Sequence, residues 1–593
     1  MCGIYLSIGQ AIATRSENLE RRLNARGPDF LAVERCCIEN LPGKSQSAAA
    51  SPIHLEFTST VLSVRGDHIT AQPISTPAVQ ATTPDRAHPN RDLLCWNGEA
   101  WLIDKLPVEG NDTEAVFALL SASSSHGELI QCLRQIRGPF AFAYLRVRDG
   151  GYRVYLARDR LGRRSLMRWR DPETQGLVFC SVSDGQQGAE EVPADGIYWV
   201  DVNTNDVSSL KFEKEQWLVD VPQSENLVGG LGVFNTSVPT DDEIGAHAQS
   251  RTIYDAARDL TTVLQESVRL RARDIPKLPQ RVMEAQKASI AMSKAKAAVF
   301  FSGGLDCTIV ARMLSENLPP NDEIDLINVA FENPRVAAQL RKDKGNIVDI
   351  YEECPDRITG RASFHDLCKT CPNHKWRFIA VNVPYKETLA HRGEVAALMS
   401  PHKTEMDISI SLAFYFAARG SGSFYNSWEA TDVTSNSGRG STHGYGTTSA
   451  RVIFSGLGAD ELFGGYSRCA LIYSRQGYSG VIDQLKLDVG RLNTRNLGRD
   501  DRVISHWGRE IRLPFLDEDV ILWAIQRSVL EKCDFSTSNE HYSGIPPDKR
   551  VLRLVAKELG LGCLLEKKRA IQFGARSAKM ETGKVTGTQE IGL

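Results

Sequence analysis

Apolar positions follow two rhythms along this chain, short runs and alternation in its first third and helical spacing or unbroken apolar stretches further on. Tyr155-Leu156-Ala157 and Leu177-Val178-Phe179-Cys180 predict strands, while residues 113–121 and 128–136 carry apolar side chains three and four apart and predict helices. A β-rich first domain over residues 2–205 follows. Residues 206–250 lose periodicity and gather Ser, Gly, Asn, Pro and acidic residues, which predicts a linker. The second domain, 251–579, opens on a helix over 254–273 with Ala257, Leu260, Val263, Leu264 and Val268 on one face and arginines at its end, where cations suit the helix dipole. Polar residues 275–296 predict an inserted loop. An apolar strand over 297–301, a helix over 308–318 and a strand over 326–331 come next, and this order predicts a parallel sheet covered by helices. Residues 420–449, rich in Gly, Ser and Thr, predict a mobile surface loop, and residues 580–593 a disordered tail. The fold class expected is a two-domain chain, α+β first and parallel-sheet α/β second.

Length and composition narrow the function. At 593 residues the chain exceeds what one core covers, and 42% apolar with 24% charged residues is ordinary for a globular protein. A net charge of -3 gives no electrostatic footprint for nucleic acid or an anionic membrane, and no apolar stretch approaches the roughly 20 residues that span a bilayer. The expectation is a cytoplasmic chain with small-molecule partners, without nucleic acid or membrane, and with a second copy of itself as the macromolecular partner considered. Thirteen scattered cysteines read as reduced thiols. Cys368, Cys371 and His374 have the spacing of half a zinc site, but the second pair is absent.

Two groups of residues carry chemistry. Cys2 follows Met1, and removing Met1 would place a thiol and a free α-amine on one residue, the amine serving as base. Asn97 and Gly98 offer a side-chain amide and a backbone N–H to a developing oxyanion. A glutamine substrate also needs a carboxylate for its α-amine and a cation for its α-carboxylate, for which Asp112 and Arg65 are the candidates. In the second group, an apolar strand leads into Ser302-Gly303-Gly304-Leu305-Asp306-Cys307, a glycine loop opening a helix, as suits a pyrophosphate. Val452-Ile453-Phe454 leads likewise into Ser455-Gly456-Leu457-Gly458-Ala459-Asp460. Asp306 and Asp460 are the carboxylates for a Mg²⁺ ion.

Met1-Cys2-Gly3-Ile4, Arg26-Gly27-Pro28-Asp29, Asn97-Gly98-Glu99, Asn111-Asp112-Thr113-Glu114 and Arg158 to Gly162 occur in the order and spacing of the class II glutamine amidotransferase domain, which the first domain resembles. The resemblance implies an N-terminal nucleophile αββα sandwich, with Cys2 as nucleophile, Asn97 and Gly98 as oxyanion hole and Asp112 on the substrate amine. The family's glutamine-binding Arg would align near Val61, and Arg65 lies on the same strand face. The second domain resembles asparagine synthetases through its two glycine loops and Arg509 to Asp517. By that likeness adenine meets the backbone at Phe301, Val329 and Gly456, and the phosphates meet Ser302, Gly303 and Gly304. Ser455 opens the second loop, and Arg499 keeps charge near the aspartate site. Cys307, Leu457 and Asn496 depart from the pattern. Together with Pro355 to Arg361, Asn496 to Ile504 and Lys568 to Gly574, they make the chain similar to the asparagine synthetase domain-containing proteins. This implies glutamine hydrolysis at Cys2, ATP- and Mg²⁺-dependent adenylation of a carboxylate, most simply aspartate, and its amidation by the ammonia released. The alternative is a non-catalytic or partly active relative acting in interactions or regulation.

Overall fold

The computed structural model describes residues 2–38, 52–76, 91–148, 151–202, 207, 210–218, 226–228, 230–249, 252–276, 291–345, 348–427, 444–536, 544–580 and 586–591. Two compact units divide the chain. The first gathers Met1–Pro222, Ala397–His402 and Leu492–Gly508, and the second takes Gln223–Ala396, Lys403–Arg491 and Arg509–Leu593.

The first unit is built on two six-stranded sheets. One orders Glu190–Glu191, Met167–Arg170, Leu177–Cys180, Gly3–Gly9, Ile53–Val61 and Phe30–Ile38, with Gly3–Gly9 antiparallel to both neighbours. Strand side chains alternate in direction. Ile4, Leu6 and Ile8 therefore enter a core shared with Leu93, Cys95, Ala141 and Leu145 of the other sheet. Tyr5 turns the other way, onto Leu19 and Leu23 of the helix Glu17–Arg26. The second sheet orders Glu213–Glu215, Ile197–Asp201, Gly151–Arg158, Phe140–Arg148, Leu93–Gly98 and Ile74–Ser75. Its outer face, with Leu94, Trp96 and Phe142, packs on the helices Asp112–Ala122 and His126–Gln135. The layers run helix, sheet, sheet, helix. Both helices lie where the apolar spacing predicts them.

The second unit holds an eight-stranded sheet in the order Ala291–Met292, Tyr445–Thr447, Ser421–Asn426, Lys375–Val383, Glu323–Phe331, Ala297–Phe300, Val452–Phe454 and Glu510–Arg512. The last five are mutually parallel. Ala297–Phe300 and Val452–Phe454 are neighbours, so the glycine loops leaving their C-terminal ends emerge side by side, as α/β sheets present their ligand crevices. The helices Thr252–Ala272 and Leu305–Asn317 match the predicted ones within three residues.

Four stretches depart from the expectations. Within 206–250, Glu213–Glu215 extends the first unit's second sheet and the indole N–H of buried Trp217 donates to Ala194 O at 3.1 Å, giving this stretch a packed role. Ala291–Met292 and Tyr445–Thr447, in stretches read as loops, pair in parallel at the sheet edge, while 277–290 and 428–443 lie outside the described residues. In the stretch read as a disordered tail, Glu405 N donates to Gln589 O and Met406 N to Gly587 O, both at 2.9 Å, and Ile591 N donates to Lys403 O at 2.8 Å. The first two bonds satisfy N–H groups at the start of the helix Glu405–Arg419 that would otherwise be orphaned. Among the described residues, no helix is long and apolar enough to cross a membrane.

Candidate active site

Cys2 precedes the strand Gly3–Gly9, and the ladder of that strand delivers it to the end of Leu93–Gly98 in the other sheet. Cys2 N donates to Asn97 Oδ1 at 3.0 Å. A backbone N–H only donates, so this contact settles which way the Asn97 amide points. Its Nδ2 is left buried with no partner among the described residues. A buried unpaired N–H costs about 1–3 kcal/mol, and such an orphan beside a thiol suits an oxyanion. At Gly98 a Cβ would stand 2.2 Å from Pro139 O, so only glycine lets the two strands close here.

Asp112 opens the helix Asp112–Ala122, whose N-cap Asn111 accepts from Thr113 N and Glu114 N. Asp112 Oδ2 accepts from Trp96 Nε1 and Ala100 N, both at 2.9 Å, which turns the carboxylate back toward the strand that carries Asn97. Arg65, the cation expected for the substrate carboxylate, sits inside the fold. It is 5% exposed, and its guanidinium donates to Ala100 O at 2.9 Å and to Val108 O, with Glu99 3.4 Å away. Buried guanidinium groups take such partners because an unpaired charge is far costlier.

Two residues near Cys2 have no assigned role in the sequence reading. Gln72 Oε1 accepts from Trp96 N at 2.7 Å, and its Nε2 donates to Cys2 Sγ at 3.7 Å. Arg26, fully buried, donates through Nε to Cys2 O at 3.2 Å and pairs with Asp501 at 2.9 Å. Asp501 lies on the helix Leu497–Ser505, all of whose residues are buried within this unit. Arg499, expected to keep charge near the aspartate site, lies on the same helix. It is 2% exposed, donates to Asp500 Oδ1 at 2.9 Å and belongs to the unit of Cys2. Arg502 pairs with Glu191 at 2.6 Å. Burial pushes the Glu191 carboxyl up, but Arg158 and Arg502 outweigh it and bring it to about 2.

In the second unit, Gly303 takes φ +78 with Thr359 O 2.3 Å from where a Cβ would sit, so the loop backbone reaches its place only as glycine. Ser363 Oγ donates to Gly303 O and Thr359 Oγ1 to Ser302 O, each at 2.7 Å. Phe301, directly after the strand Ala297–Phe300, and Val329 on the neighbouring strand are buried, with Phe301 N donating to Ile327 O at 2.8 Å. Ser455 N donates to Arg512 O at 3.0 Å, and Gly456 backs onto Asp306, whose Cβ lies 2.7 Å from where its own would be. Asp306 and Asp460 are brought together by Lys549, whose Nζ is 2.6 Å from each carboxylate, and Lys568 donates to Asp460 as well. Burial raises Asp460, yet the two lysines hold it at about 2, while burial and Asp460 raise Asp306. Ser302, Gly304, Asp306, Asp356, Lys549 and Lys568 are among the residues around a cavity of 70 Å³. Two carboxylates fit a Mg²⁺ ion, which takes one or two together with substrate phosphates. Asp306 Oδ1 and Asp460 Oδ1 are both buried without a hydrogen-bond donor among the described residues, with Lys549 Nζ 2.6 Å from the latter as an ion pair. No cluster of three or more His, Cys, Asp or Glu is found among those residues.

A sequence model described as a glutamine amidotransferase domain matches residues 104–185. An asparagine synthetase domain-containing protein of Saccharomyces cerevisiae is 30% identical over 91% of this chain and 87% of its own length. The chain belongs to the asparagine synthetase domain-containing proteins. Another member, asparagine synthetase domain-containing protein 1 of Mus musculus, is 29% identical over 100% of this chain and 99% of its own. A Methanocaldococcus jannaschii protein named as a glutamine-hydrolysing asparagine synthetase is 34% identical over 22% of this chain and 28% of its own. Motif spacing finds Cys2, Asn97 and Asp112 in this family member. Gln72 and Lys549 carry no local signal, because only the fold sets them beside Cys2 and Asp306.

Proposed function

We propose that this chain is a glutamine- and ATP-dependent amidotransferase of asparagine-synthetase type. The observation that carries the reading is the Cys2 N to Asn97 Oδ1 contact at 3.0 Å, with Asn97 Nδ2 unpartnered beside it. With Met1 removed, the Cys2 amine takes the thiol proton and the sulfur attacks the side-chain amide carbon of glutamine. Asn97 Nδ2 and Gly98 N stabilise the oxyanion while ammonia leaves with the proton the amine had taken. Water then hydrolyses the thioester to glutamate. The helix–sheet–sheet–helix layering supports this, since it presents the start of Gly3–Gly9 between two sheets.

In the second unit, Ser302, Gly303 and Gly304 would hold the ATP phosphates at the start of the helix Leu305–Asn317. Lys549 and Lys568 would exchange their carboxylate partners for phosphate oxygens, and Asp306 and Asp460 would hold Mg²⁺, which supplies charge neutralisation there. A carboxylate, most simply that of aspartate, attacks the α-phosphorus with loss of pyrophosphate. Ammonia then displaces AMP to give the amide. A second reading, a chain that keeps the fold with one reaction lost, is favoured by Arg65, whose guanidinium binds Ala100 and Val108.

The test is pyrophosphate release with ATP, Mg²⁺ and aspartate. Cys2→Ala is expected to abolish release driven by glutamine and to keep release driven by ammonium; Asp306→Ala is expected to abolish both. No release by wild type from either nitrogen source would reject aspartate as acceptor and shift the balance to the second reading.

A further inference from the structure

We infer that Gln72 is a positioning residue for the Cys2 sulfur, a role that rests on the reading of Cys2 as nucleophile. Trp96 N donates to Gln72 Oε1 at 2.7 Å, and because a peptide N–H cannot accept, the carbonyl end is the one facing Trp96. Nε2 is thereby turned to Cys2 Sγ at 3.7 Å and to Thr113 Oγ1 at 3.4 Å. Gln72 is 2% exposed and Cys2 8%, so bulk water does not compete freely for this bond.

The thiolate, not the thiol, is the nucleophile, and a hydrogen bond donated to a charged form favours that form. The Gln72 amide holds a partial positive charge against the sulfur and fixes its direction, while Asn97 Nδ2 stays free for the oxyanion. The two amides divide the work. Each is oriented by one backbone N–H, Gln72 by Trp96 and Asn97 by Cys2, and each turns its NH₂ to a different stage of the same reaction. Thr113, one residue after Asp112 on the helix Asp112–Ala122, accepts from Nε2 and so ties the sulfur's partner to the element that carries the proposed amine-binding carboxylate.

The experiment uses the full chain with its mature N-terminus and follows alkylation of Cys2 by iodoacetamide across the thiol titration range, read on the Cys2 peptide by mass. Gln72→Leu removes the donor. Gln72→Glu keeps an oxygen for Trp96 N and turns a second oxygen to the sulfur, so it preserves the local fold while reversing the electrostatics. The midpoint of alkylation is expected to rise by about one pH unit in Gln72→Leu and further in Gln72→Glu. Glutaminase kcat is expected to fall roughly tenfold, with little change in KM. Superimposable alkylation profiles for wild type and Gln72→Glu would overturn the assignment. The nucleophile reading fails separately, by glutamine hydrolysis that survives Cys2→Ala, and the alkylation midpoint still reports on Gln72 in that case.

Discussion

Asp356 stands in the first turn of the helix Pro355–Thr370 with its carboxyl packed on Gly574, where a Cβ would lie 2.0 Å from Oδ1. Burial pushes this carboxyl up to about 7, although Arg569 and Lys568 pull it down. A carboxyl whose folded value is above its ordinary 3.8 binds its proton more tightly in the folded chain. Its contribution to stability is therefore complete below about pH 4 and is lost as pH rises through about 7. Asp356→Asn is expected to remove that dependence, so the variant's thermal midpoint gains on wild type as pH rises across this window. Parallel midpoint curves would show that Asp356 keeps an ordinary pKa. Nothing local in Pro355-Asp356-Arg357 signals this. At the same scale Cys2, Asn97 and Asp112 were legible, because their chemistry needs those residue types in that order. Arg65 was legible as a cation but not in its partners, since the carbonyls it binds lie 35 and 43 residues away in sequence.

The helix Leu497–Ser505 shows the same limit for a whole element. It carries Arg499, Asp500, Asp501 and Arg502, and as a string it reads as a charged segment near an acceptor site. All four are buried. Asp501 pairs with Arg26 at 2.9 Å, accepts from Ser165 N at 3.1 Å and lies 3.7 Å from Arg164, while Arg502 donates to Leu398 O at 2.9 Å and Ser165 Oγ at 2.9 Å. Charges at these positions survive burial only because partners arrive from elsewhere in the chain. Replacing Asp501 by Leu leaves two buried guanidinium groups without their carboxylate, for which about 3–5 kcal/mol is the usual loss. Urea denaturation followed by tryptophan fluorescence measures it. A change inside the roughly 0.5 kcal/mol seen for inert surface substitutions would mean that the pair does not stabilise the fold.

At the scale of the molecule, the first unit is not one stretch of chain, since Ala397–His402 and Leu492–Gly508 belong to it with Met1–Pro222. Pattern reading assigns domains as contiguous blocks, because periodicity is a local property. A fragment of residues 1–222 therefore keeps both six-stranded sheets and the Arg158–Glu191 pair, but loses Asp501 as the carboxylate of Arg26 and Arg164 and Arg502 as the second cation on Glu191. It is expected to be far more susceptible to proteolysis than the same residues in the full chain, with cleavage and circular dichroism as the measurements. A fragment as protected as the intact protein would show that the two inserted stretches are dispensable to that core.

By itself the sequence determined where the main strands and helices lie and which residue types make up the two chemical groups, since each is encoded by residue type at short spacing. Tertiary structure alone decided that Lys549 lies between Asp306 and Asp460, that Arg65 binds carbonyls and that the Gln72 amide turns to Cys2. Each is a contact between residues distant along the chain. Whether a buried charge or amide meets a partner, a ligand or nothing depends on what the fold carries to it.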